Sequence, residues 1–344
     1  MSSFLRNKIK RSEKADKQTF MMRNGKILQE KLIISCDNKR NPIRNFSAEG
    51  LKSATNNYDT RKVVTMKMDN ELYKGFLQNR PVSIMKFVDS DNPHEFCSCF
   101  NTLIFASQMS HKNVLMLIGC CLETQRPILV FESVEYGTLA DRIYRPHQSH
   151  FEPLAWKQRV KIAMEIADAI AYLHVGFSRP IIFRRLESSN VLFDEENVAK
   201  LFDFSFCASI PEGETHFKDS VMGTFGYLSP EDVATGYCNE KCDVYSFGTL
   251  LLELLTGQRT VDRLCQELGD EFFLCDHVRK YIETNRFYEI VDPIILGDQL
   301  SSAKEQKLQA FQRLAFDCLA VSPDARPTMV DVAKQLRQMH RSEM

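Results

Sequence analysis

The sequence predicts an α+β fold in which a small β-rich lobe is followed by a larger helical lobe. Residues 81–86 and 128–132 are short runs rich in apolar side chains, of the kind that form strands. Residues 160–174 instead repeat Ile, Ala and Leu at helical spacing, which is typical of a buried amphipathic helix. Because 44% of the 344 residues are hydrophobic, the chain is long and apolar enough to bury a large core.

Two short motifs in the second half of the chain are informative. Residues 183–190 read F-R-R-L-E-S-S-N, and residues 203–205 read D-F-S. They resemble the catalytic segment of a protein kinase, in which the catalytic loop reads H-R-D-x-x-x-x-N and the metal-binding turn reads D-F-G. The resemblance implies a bilobal protein-kinase fold, with an N-lobe at residues 46–131, a hinge at 132–137 and a C-lobe at 138–341.

The departures from the kinase pattern predict that phosphoryl transfer is lost. In kinases the catalytic-loop Asp accepts the substrate hydroxyl proton, while the Asn and the second Asp hold magnesium. Arg185 occupies the position of that base, and it cannot accept a proton because its pKa is above about 12. Glu187 stands where a Lys would meet the phosphate, although we expect Arg185 and Glu187 to keep an ion pair with its signs exchanged. We expect that the protein requires no cofactor. Because Asn190 and Asp203 are retained, weak binding of ATP and Mg²⁺ is the alternative.

Residues 1–45 are predicted to be a basic N-terminal extension. Residues 1–31 hold nine Lys or Arg against Glu13, Asp16 and Glu30. Two interpretations stay open, a solvated and poorly ordered tail or a weak contact with an anionic membrane surface. Ser2 replaces the glycine that N-myristoylation requires.

The remaining global features favour a cytoplasmic protein. No apolar run reaches the ~18 residues of a membrane helix, and no signal peptide opens the chain. Eleven cysteines lack the spacing of a disulfide framework or a zinc site, which indicates reduced thiols. The net charge of −1 predicts no attraction to nucleic acid. Peripheral association with the inner face of the plasma membrane is the most that the basic extension implies.

In the N-lobe, the resemblance places the three glycine positions of the phosphate-binding loop on residues that are not glycine: Thr65, Lys67 and Asn70. Side chains there should hinder closure of the backbone over phosphates. We interpret Lys67 as an exposed strand-turn lysine, with a phosphate contact as the alternative. Lys86 falls at the strand lysine that holds the α- and β-phosphates and is a candidate cofactor-binding residue. Thr102 replaces the helix glutamate that would pair with it.

In the C-lobe, residues 203–231 are the predicted activation segment. Three hydroxyl side chains there are candidate modification or partner-binding sites: Thr215, Ser220 and Thr224. Arg184 either binds a phosphate from this segment or from a partner, or bonds internally. The resemblance further implies three structural residues, namely Glu231 paired with Arg326, and Asp243 bracing the catalytic loop.

Two further segments resemble plant receptor-like kinases, especially the wall-associated branch. Residues 46–57 follow F-x-x-x-x-L-x-x-A-T-x-N, and residues 289–293 read E-I-V-D-P. Together with the damaged catalytic motifs, this layout is similar to the ZED-related pseudokinase family. The resemblance implies an adaptor or decoy in plant immunity that binds a coiled-coil NLR receptor, receptor-like cytoplasmic kinases and pathogen effector enzymes. A weakly active atypical serine/threonine kinase and an ATP-sensing switch are the alternatives.

Overall fold

The computed structural model describes residues 3–35, 42–88, 93–144, 153–260, 273–297 and 301–343, without the side chains of residues 3–13, 34–35 and 93–96. The chain divides into two compact units. The first unit contains Met1–Gly137 together with Asp203–Ser205, and the second contains Thr138–Phe202 and Phe206–Met344. The first is built on a β-sheet and the second mainly on helices, so the predicted α+β class is confirmed.

The first unit contains a six-stranded sheet in the order β1-β5-β6-β4-β3-β2. All neighbours are antiparallel except β1 and β5, which pair in parallel. The strands are β1 Arg44–Asn45, β2 Val63–Met66, β3 Asn70–Leu77, β4 Arg80–Phe87, β5 Leu117–Cys121 and β6 Ile128–Phe131, and the helices are α1 Ser3–Ser35, α2 Ala48–Ala54 and α3 Pro93–Gln108.

The basic N-terminal segment is the helix α1, which corrects the expectation of a poorly ordered tail. Asn24 is fully buried, and its amide donates to the carbonyl oxygens of Leu122 and Thr124 at 3.1 and 2.9 Å. A buried amide that satisfies two backbone acceptors fixes the helix on the connection between β5 and β6, and charge counting cannot detect such an anchor. Among the described residues no helix is both long and apolar enough to cross a bilayer.

Strand β4 has two faces with different neighbours. Val82 and Ile84 pack against Leu51 and Ala54 of α2 in one apolar cluster. Because successive side chains of a strand point to opposite faces, Ser83, Met85 and Phe87 lie on the other face. These three side chains are also buried. The same alternation determines the face of β4 on which Lys86 lies.

The second unit is built around two long buried helices. Helix α5 carries the amphipathic pattern predicted from the sequence, and α7 is buried along most of its length. The helices are α4 Leu139–Tyr144, α5 Trp156–Val175, α6 Pro230–Thr235, α7 Glu240–Thr256, α8 Leu274–Glu283, α9 Phe287–Ile290, α10 Pro293–Leu296, α11 Ser302–Cys318 and α12 Met329–Arg341. Three short antiparallel pairs join β7 Ile181–Ile182 with β10 Ala208–Ser209, β8 Val191–Phe193 with β9 Ala199–Leu201, and β11 Phe217–Lys218 with β12 Tyr237–Cys238.

Helix α7 begins and ends at residues suited to those positions. The Asn239 side chain accepts from the Lys241 amide at the N-terminus. Gly257 ends the helix with φ 69°, and a Cβ there would lie 2.5 Å from Asp292 Oδ2. Glycine is therefore required both by the backbone angle and by the close approach.

The cysteines that the structure describes are all free thiols, and most of them are buried. In the same part of the chain no group of three or more His, Cys, Asp or Glu side chains could hold a metal ion.

Candidate functional site

In the first unit, protein donors bond both oxygens of the Asp203 carboxylate. Asp203 is fully buried, and Lys67 Nζ lies 2.9 Å from its Oδ2. The Asn70 amide donates to the same oxygen at 3.4 Å. The Ser205 hydroxyl donates to Oδ1, and the Ser205 backbone amide lies 3.4 Å from it. Asp203 thus has protein partners on each oxygen.

Lys67 is not the exposed strand-turn lysine that the sequence suggested. Its side chain is only 8% exposed, and its ammonium is directed at Asp203. The Lys67 amide donates to the Asn70 carbonyl at 2.8 Å, so a tight turn between β2 and β3 holds the backbone. The sequence could not reveal this because the partner of Lys67 lies 136 residues further along the chain.

Lys86 lies on the α2 face of β4, which corrects its assignment as a phosphate-binding lysine. Its Nζ lies 5.2 Å from the centroid of the Tyr58 ring, a cation–π contact. Tyr58 packs on the apolar cluster that contains Ile84 and α2. Since Ile84 and Lys86 are two residues apart on one strand, they share a face.

The face of β4 toward Asp203 carries Met85 instead. Asn70, which reaches Asp203, is directly opposite Phe87 in the β3–β4 register. Directly opposed residues share a face, so Phe87 and Met85 point to the side of Asp203 and Lys86 points away. The assignment of Lys86 was wrong by one residue, which is enough to reverse the direction of a strand side chain.

A backbone amide of the predicted hinge also has its hydrogen-bond acceptor within the first unit. The backbone amide of Val134 donates to Ser83 Oγ at 3.1 Å, and both groups are buried. An adenine ring bound at residues 132–137 would compete with Ser83 for this amide. Ser83 therefore removes one donor that a nucleotide could otherwise use.

Helix α3 carries no acid at the position expected for a glutamate. Thr102 is fully buried there, and its hydroxyl donates to the Ser98 carbonyl one turn earlier at 3.1 Å. Asn101 instead joins α3 to the Asp203 turn, because its amide donates to the Ser205 carbonyl at 3.1 Å. The connection between helix and turn is made by neutral groups.

In the second unit, Arg185 occupies the base position of the catalytic loop. Its Nε lies 3.9 Å from Glu187 Oε1, so the exchanged ion pair is present but is longer than a hydrogen bond. The guanidinium also lies 4.7 Å from the centroid of the Phe206 ring. Arg185 is a packed cation that can donate hydrogen bonds but cannot accept a proton.

Glu187 is held by neighbouring donors. The Ser189 hydroxyl donates to Oε1 at 2.6 Å, and the Asn190 amide donates to it at 3.3 Å. The Thr224 hydroxyl donates to Oε2. A carboxylate in the place of the kinase lysine therefore ties the catalytic loop to the activation segment.

Two metal-ligand positions survive in the sequence, and their surroundings differ. Asn190 donates through its amide to the Arg185 carbonyl at 2.7 Å, while its buried Oδ1 has no hydrogen-bond partner. That oxygen fits a magnesium ligand. Asp203 does not fit, because the Lys67 ammonium already lies on the oxygen that a divalent ion would use. The groups around Asp203 in the first unit therefore do not fit a magnesium ion.

Arg184 bonds internally, which is one of the two alternatives that its sequence left open. It is buried, has φ 64°, and donates to Asp219 Oδ2 and to the Ser220 carbonyl, both at 2.8 Å. Its guanidinium also lies 5.3 Å from the Phe217 ring centroid. The Asp219 carboxylate thus binds Arg184 in place of the phosphate that the other alternative required.

The three candidate modification sites differ in availability. Thr215 is exposed, and its hydroxyl bonds to its neighbour His216 at 3.1 Å. Ser220 is exposed as well, although its carbonyl is engaged by Arg184. Thr224 already donates its hydroxyl to a carboxylate. Among the contacts of the described residues, none singles out one of the three for modification.

The Glu231–Arg326 pair is present, and it is bidentate. Arg326 is fully buried and donates to the two oxygens of Glu231 at 2.6 and 2.8 Å. Burial alone would raise the pKa of Glu231, but the hydrogen bonds and positive charge of Arg326, together with a backbone hydrogen bond, hold this pKa below its ordinary value. Three backbone carbonyls also accept from this guanidinium, those of Ala320, Val321 and Lys241.

Asp243 braces the catalytic loop through the backbone. Its carboxylate is fully buried and accepts from the amides of Phe183 and Arg184, both at 2.8 Å. His174 Nε2 lies 2.9 Å from the same carboxylate. These bonds fix the loop where Arg184 takes its left-handed conformation.

Comparison with known proteins places these features in one family. A family model described as protein tyrosine and serine/threonine kinase matches residues 62–336. The chain belongs to this kinase family. The bilobal kinase fold predicted from the motifs is therefore confirmed.

Individual relatives include one that is named a non-functional pseudokinase and others that are named kinases. Non-functional pseudokinase ZED1 of Arabidopsis thaliana is 39% identical over 93% of this chain and 96% of its own length. Serine/threonine-protein kinase ZRK1 of the same plant is 35% identical over 96% of this chain and 95% of its own. Wall-associated receptor kinase 5 is 33% identical, and the chain spans 45% of its length. The kinase domain is thus of the wall-associated, ZED-related type.

Sequence reasoning missed Glu253, a carboxylate buried inside the kinase domain. The hydroxyls of Tyr144 and Tyr227 donate to it, and Ser188 Oγ lies at 3.5 Å. Burial raises the pKa of Glu253 to about 7 despite these hydrogen bonds. The signal was its place in an otherwise apolar stretch of α7, which a search for catalytic motifs does not examine.

Glu253→Gln should remove a pH-dependent part of the stability. Between pH 4.5 and 7 the folded chain keeps a proton on Glu253 that the unfolded chain has lost, so the free energy of unfolding falls as pH rises. Across this window the parent should lose roughly 3 kcal/mol that Glu253→Gln does not lose. Urea unfolding at pH 5 and pH 8 measures the difference, with exposed Glu283→Gln as the control. Parallel pH profiles for parent and Glu253→Gln would rule out this assignment.

Proposed function

We propose that this kinase-family protein is a pseudokinase that works as an adaptor or decoy in plant immunity. In this role it joins a coiled-coil NLR receptor to receptor-like cytoplasmic kinases or pathogen effector enzymes. The observation that carries the loss of catalysis is an arginine, Arg185, in the place of the proton acceptor. A lost general base alone lowers the rate by about 10²–10⁴-fold.

The bonding pattern around the damaged motifs supports a binding role. Asp203, Arg184 and Glu187 are each engaged by protein groups, so the catalytic segments are ordered without a substrate. An ordered surface with no turnover is what an adaptor needs, because its partners recognise shape and charge. The likeness to a relative named a non-functional pseudokinase points the same way.

An ATP-sensing or weakly active kinase is the second candidate. The Asn190 Oδ1 atom favours it, because this buried oxygen has no hydrogen-bond partner and fits a metal ion. The likeness to a relative named a serine/threonine-protein kinase also favours it. Thermal unfolding with and without millimolar Mg·ATP separates the candidates, since a ligand that binds only the folded state raises Tm. The adaptor role predicts no rise.

Affinity purification from plant cells tests the adaptor role. A tagged copy of the full chain should recover a coiled-coil NLR and receptor-like cytoplasmic kinases, identified by mass spectrometry. The kinase domain of a wall-associated receptor kinase, tagged in the same way, is the matched control and should recover no NLR. Repeated purifications that contain neither partner would remove the proposal. We place the protein in the cytoplasm, with α1 as the candidate for peripheral contact with the plasma membrane.

A further inference from the structure

A lysine side chain of the chain itself occupies the cation position at Asp203. The Lys67 ammonium lies 2.9 Å from Oδ2, with 8% of the lysine side chain and none of the aspartate side chain exposed. Oδ1 is bonded by Ser205 at the same time. The negative charge is thus paired with a positive one inside the first unit, which is the condition under which a buried carboxylate stays ionised.

We propose that the Lys67 ammonium replaces the divalent metal ion at Asp203, so that the first unit is ordered without Mg²⁺ or nucleotide. This inference rests on the proposed loss of catalysis and identifies the side chain that blocks the metal position. The chain belongs to the kinase family, whose active members bind magnesium at this aspartate. In this chain the groups bonded to Asp203 do not fit a magnesium ion.

The turn that carries Lys67 is built to hold the ammonium in place. Residues 67–70 form a closed connection between β2 and β3, with the Lys67 amide bonded to the Asn70 carbonyl. Asn70 is fully buried and directs its own amide to Asp203 at 3.4 Å. Both ends of the turn therefore approach the same carboxylate, where a glycine-rich loop would offer only backbone.

The same cluster extends to helix α3. Asn101 donates to the Ser205 carbonyl at 3.1 Å, and the Ser205 hydroxyl donates to Asp203. A continuous series of bonds therefore runs from the β2–β3 turn through Lys67 and Asp203 to α3. In active kinases a bound nucleotide and its metal ions organise these parts, whereas here side chains of the protein itself connect them.

Metal and ammonium exclude each other at this oxygen. A magnesium ion requires oxygen ligands at about 2.0–2.1 Å and near-octahedral space. The Lys67 Nζ lies in contact with Oδ2 and carries a like charge, so the ion can bind only if the lysine leaves. Removing the ammonium should therefore create a metal response that the parent lacks.

The test compares variants at Lys67 with a matched lysine on the opposite face of the sheet. Lys67→Gly opens the carboxylate, and Lys67→Met removes the charge while keeping the length of the side chain. Lys86→Met is the control, because Lys86 lies over Tyr58 and away from Asp203. Thermal unfolding and calorimetric titration with MgCl₂ or MnCl₂ alone, then with added ADP, give readouts that do not depend on catalysis.

The parent and Lys86→Met should show no metal-induced change in Tm. Both Lys67 variants should unfold about 5 to 10 °C lower, because a buried carboxylate loses its partner. Millimolar Mg²⁺ or Mn²⁺ should restore most of that loss, and adding Asp203→Asn to Lys67→Met should abolish the recovery.

Two results would overturn the inference. One is a parent that already binds Mg²⁺ as tightly as the Lys67 variants do. The other is a Lys67→Met protein with the parent Tm and no metal response, which decides the matter even if Lys67→Gly does not fold. Phosphate transfer is not measured here, so failure of this inference is distinguishable from failure of the proposed function.

Discussion

Replacing Arg326 with methionine is expected to lower the free energy of unfolding by about 3–5 kcal/mol. The arginine side chain is fully buried and bonds to both oxygens of Glu231. Methionine keeps much of the volume but leaves the Glu231 carboxylate without its cation. It also removes the donor from three backbone carbonyls, and each buried acceptor left unpaired adds to the cost.

A surface arginine in the same unit provides the matched control. Arg337 donates to Asp168 at 2.7 Å, but its side chain is 48% exposed. Arg337→Met should change the stability by less than about 1 kcal/mol. Arg326→Lys should fall between the two, because an ammonium cannot reproduce the bidentate geometry. Urea unfolding followed by the fluorescence of Trp156, the one tryptophan of the chain, measures all three variants. Equal stability of the Arg326 and Arg337 methionine variants would contradict the structural role of the pair.

Asp243→Ala should cost roughly 3–5 kcal/mol and should loosen the catalytic loop locally. The substitution leaves the buried amides of Phe183 and Arg184 without an acceptor, and each unsatisfied donor costs about 1–3 kcal/mol. The His174 ring loses its partner as well. Because Arg184 depends on these bonds for its left-handed backbone, its hold on Asp219 should weaken too.

Amide hydrogen exchange distinguishes this local effect from general destabilisation. In Asp243→Ala the amides of residues 183 and 184 should exchange much faster than those of α12, whereas the exposed control Asp317→Ala should match the parent. Faster exchange spread evenly over the second unit would argue against a specific brace. Protection at residues 183 and 184 that equals the parent would argue against the bonds themselves.

The sequence predicted the fold and the damaged chemistry because those depend on residue identity. Arg185 cannot be a base in any conformation, and the Glu231 and Arg326 motifs are recognisable from their immediate neighbours. Helix α5 followed from a local pattern as well, because apolar residues recur along it at helical spacing.

Features that depend on distant partners or on a single step of register could not be predicted. Lys67 was interpreted as exposed, because nothing near it in sequence identifies Asp203 as its partner. Lys86 was assigned to the wrong face of β4, because an alignment error of one residue reverses the direction in which a strand side chain points. Helix α1 was missed for a related reason, as its anchor Asn24 bonds to backbone carbonyls almost a hundred residues away.

The charged side chains of the damaged motifs have partners inside the protein. Glu187 reverses the usual charge, yet three donors surround it. Asp219 provides Arg184 with a carboxylate inside the chain. Asp203 is likewise paired with Lys67, whereas the buried Oδ1 atom of Asn190 has no hydrogen-bond partner.

Transfer of labelled phosphate from ATP is the most direct test of the central claim, that this kinase domain has lost catalysis. The purified full chain should be incubated with labelled ATP, Mg²⁺ or Mn²⁺ and generic protein substrates, beside an Asp203→Asn variant. We expect the parent to incorporate no more label than Asp203→Asn, either into itself or into substrate. Incorporation by the parent that disappears in Asp203→Asn would contradict the account, because it would require a working metal site and a proton acceptor other than Arg185.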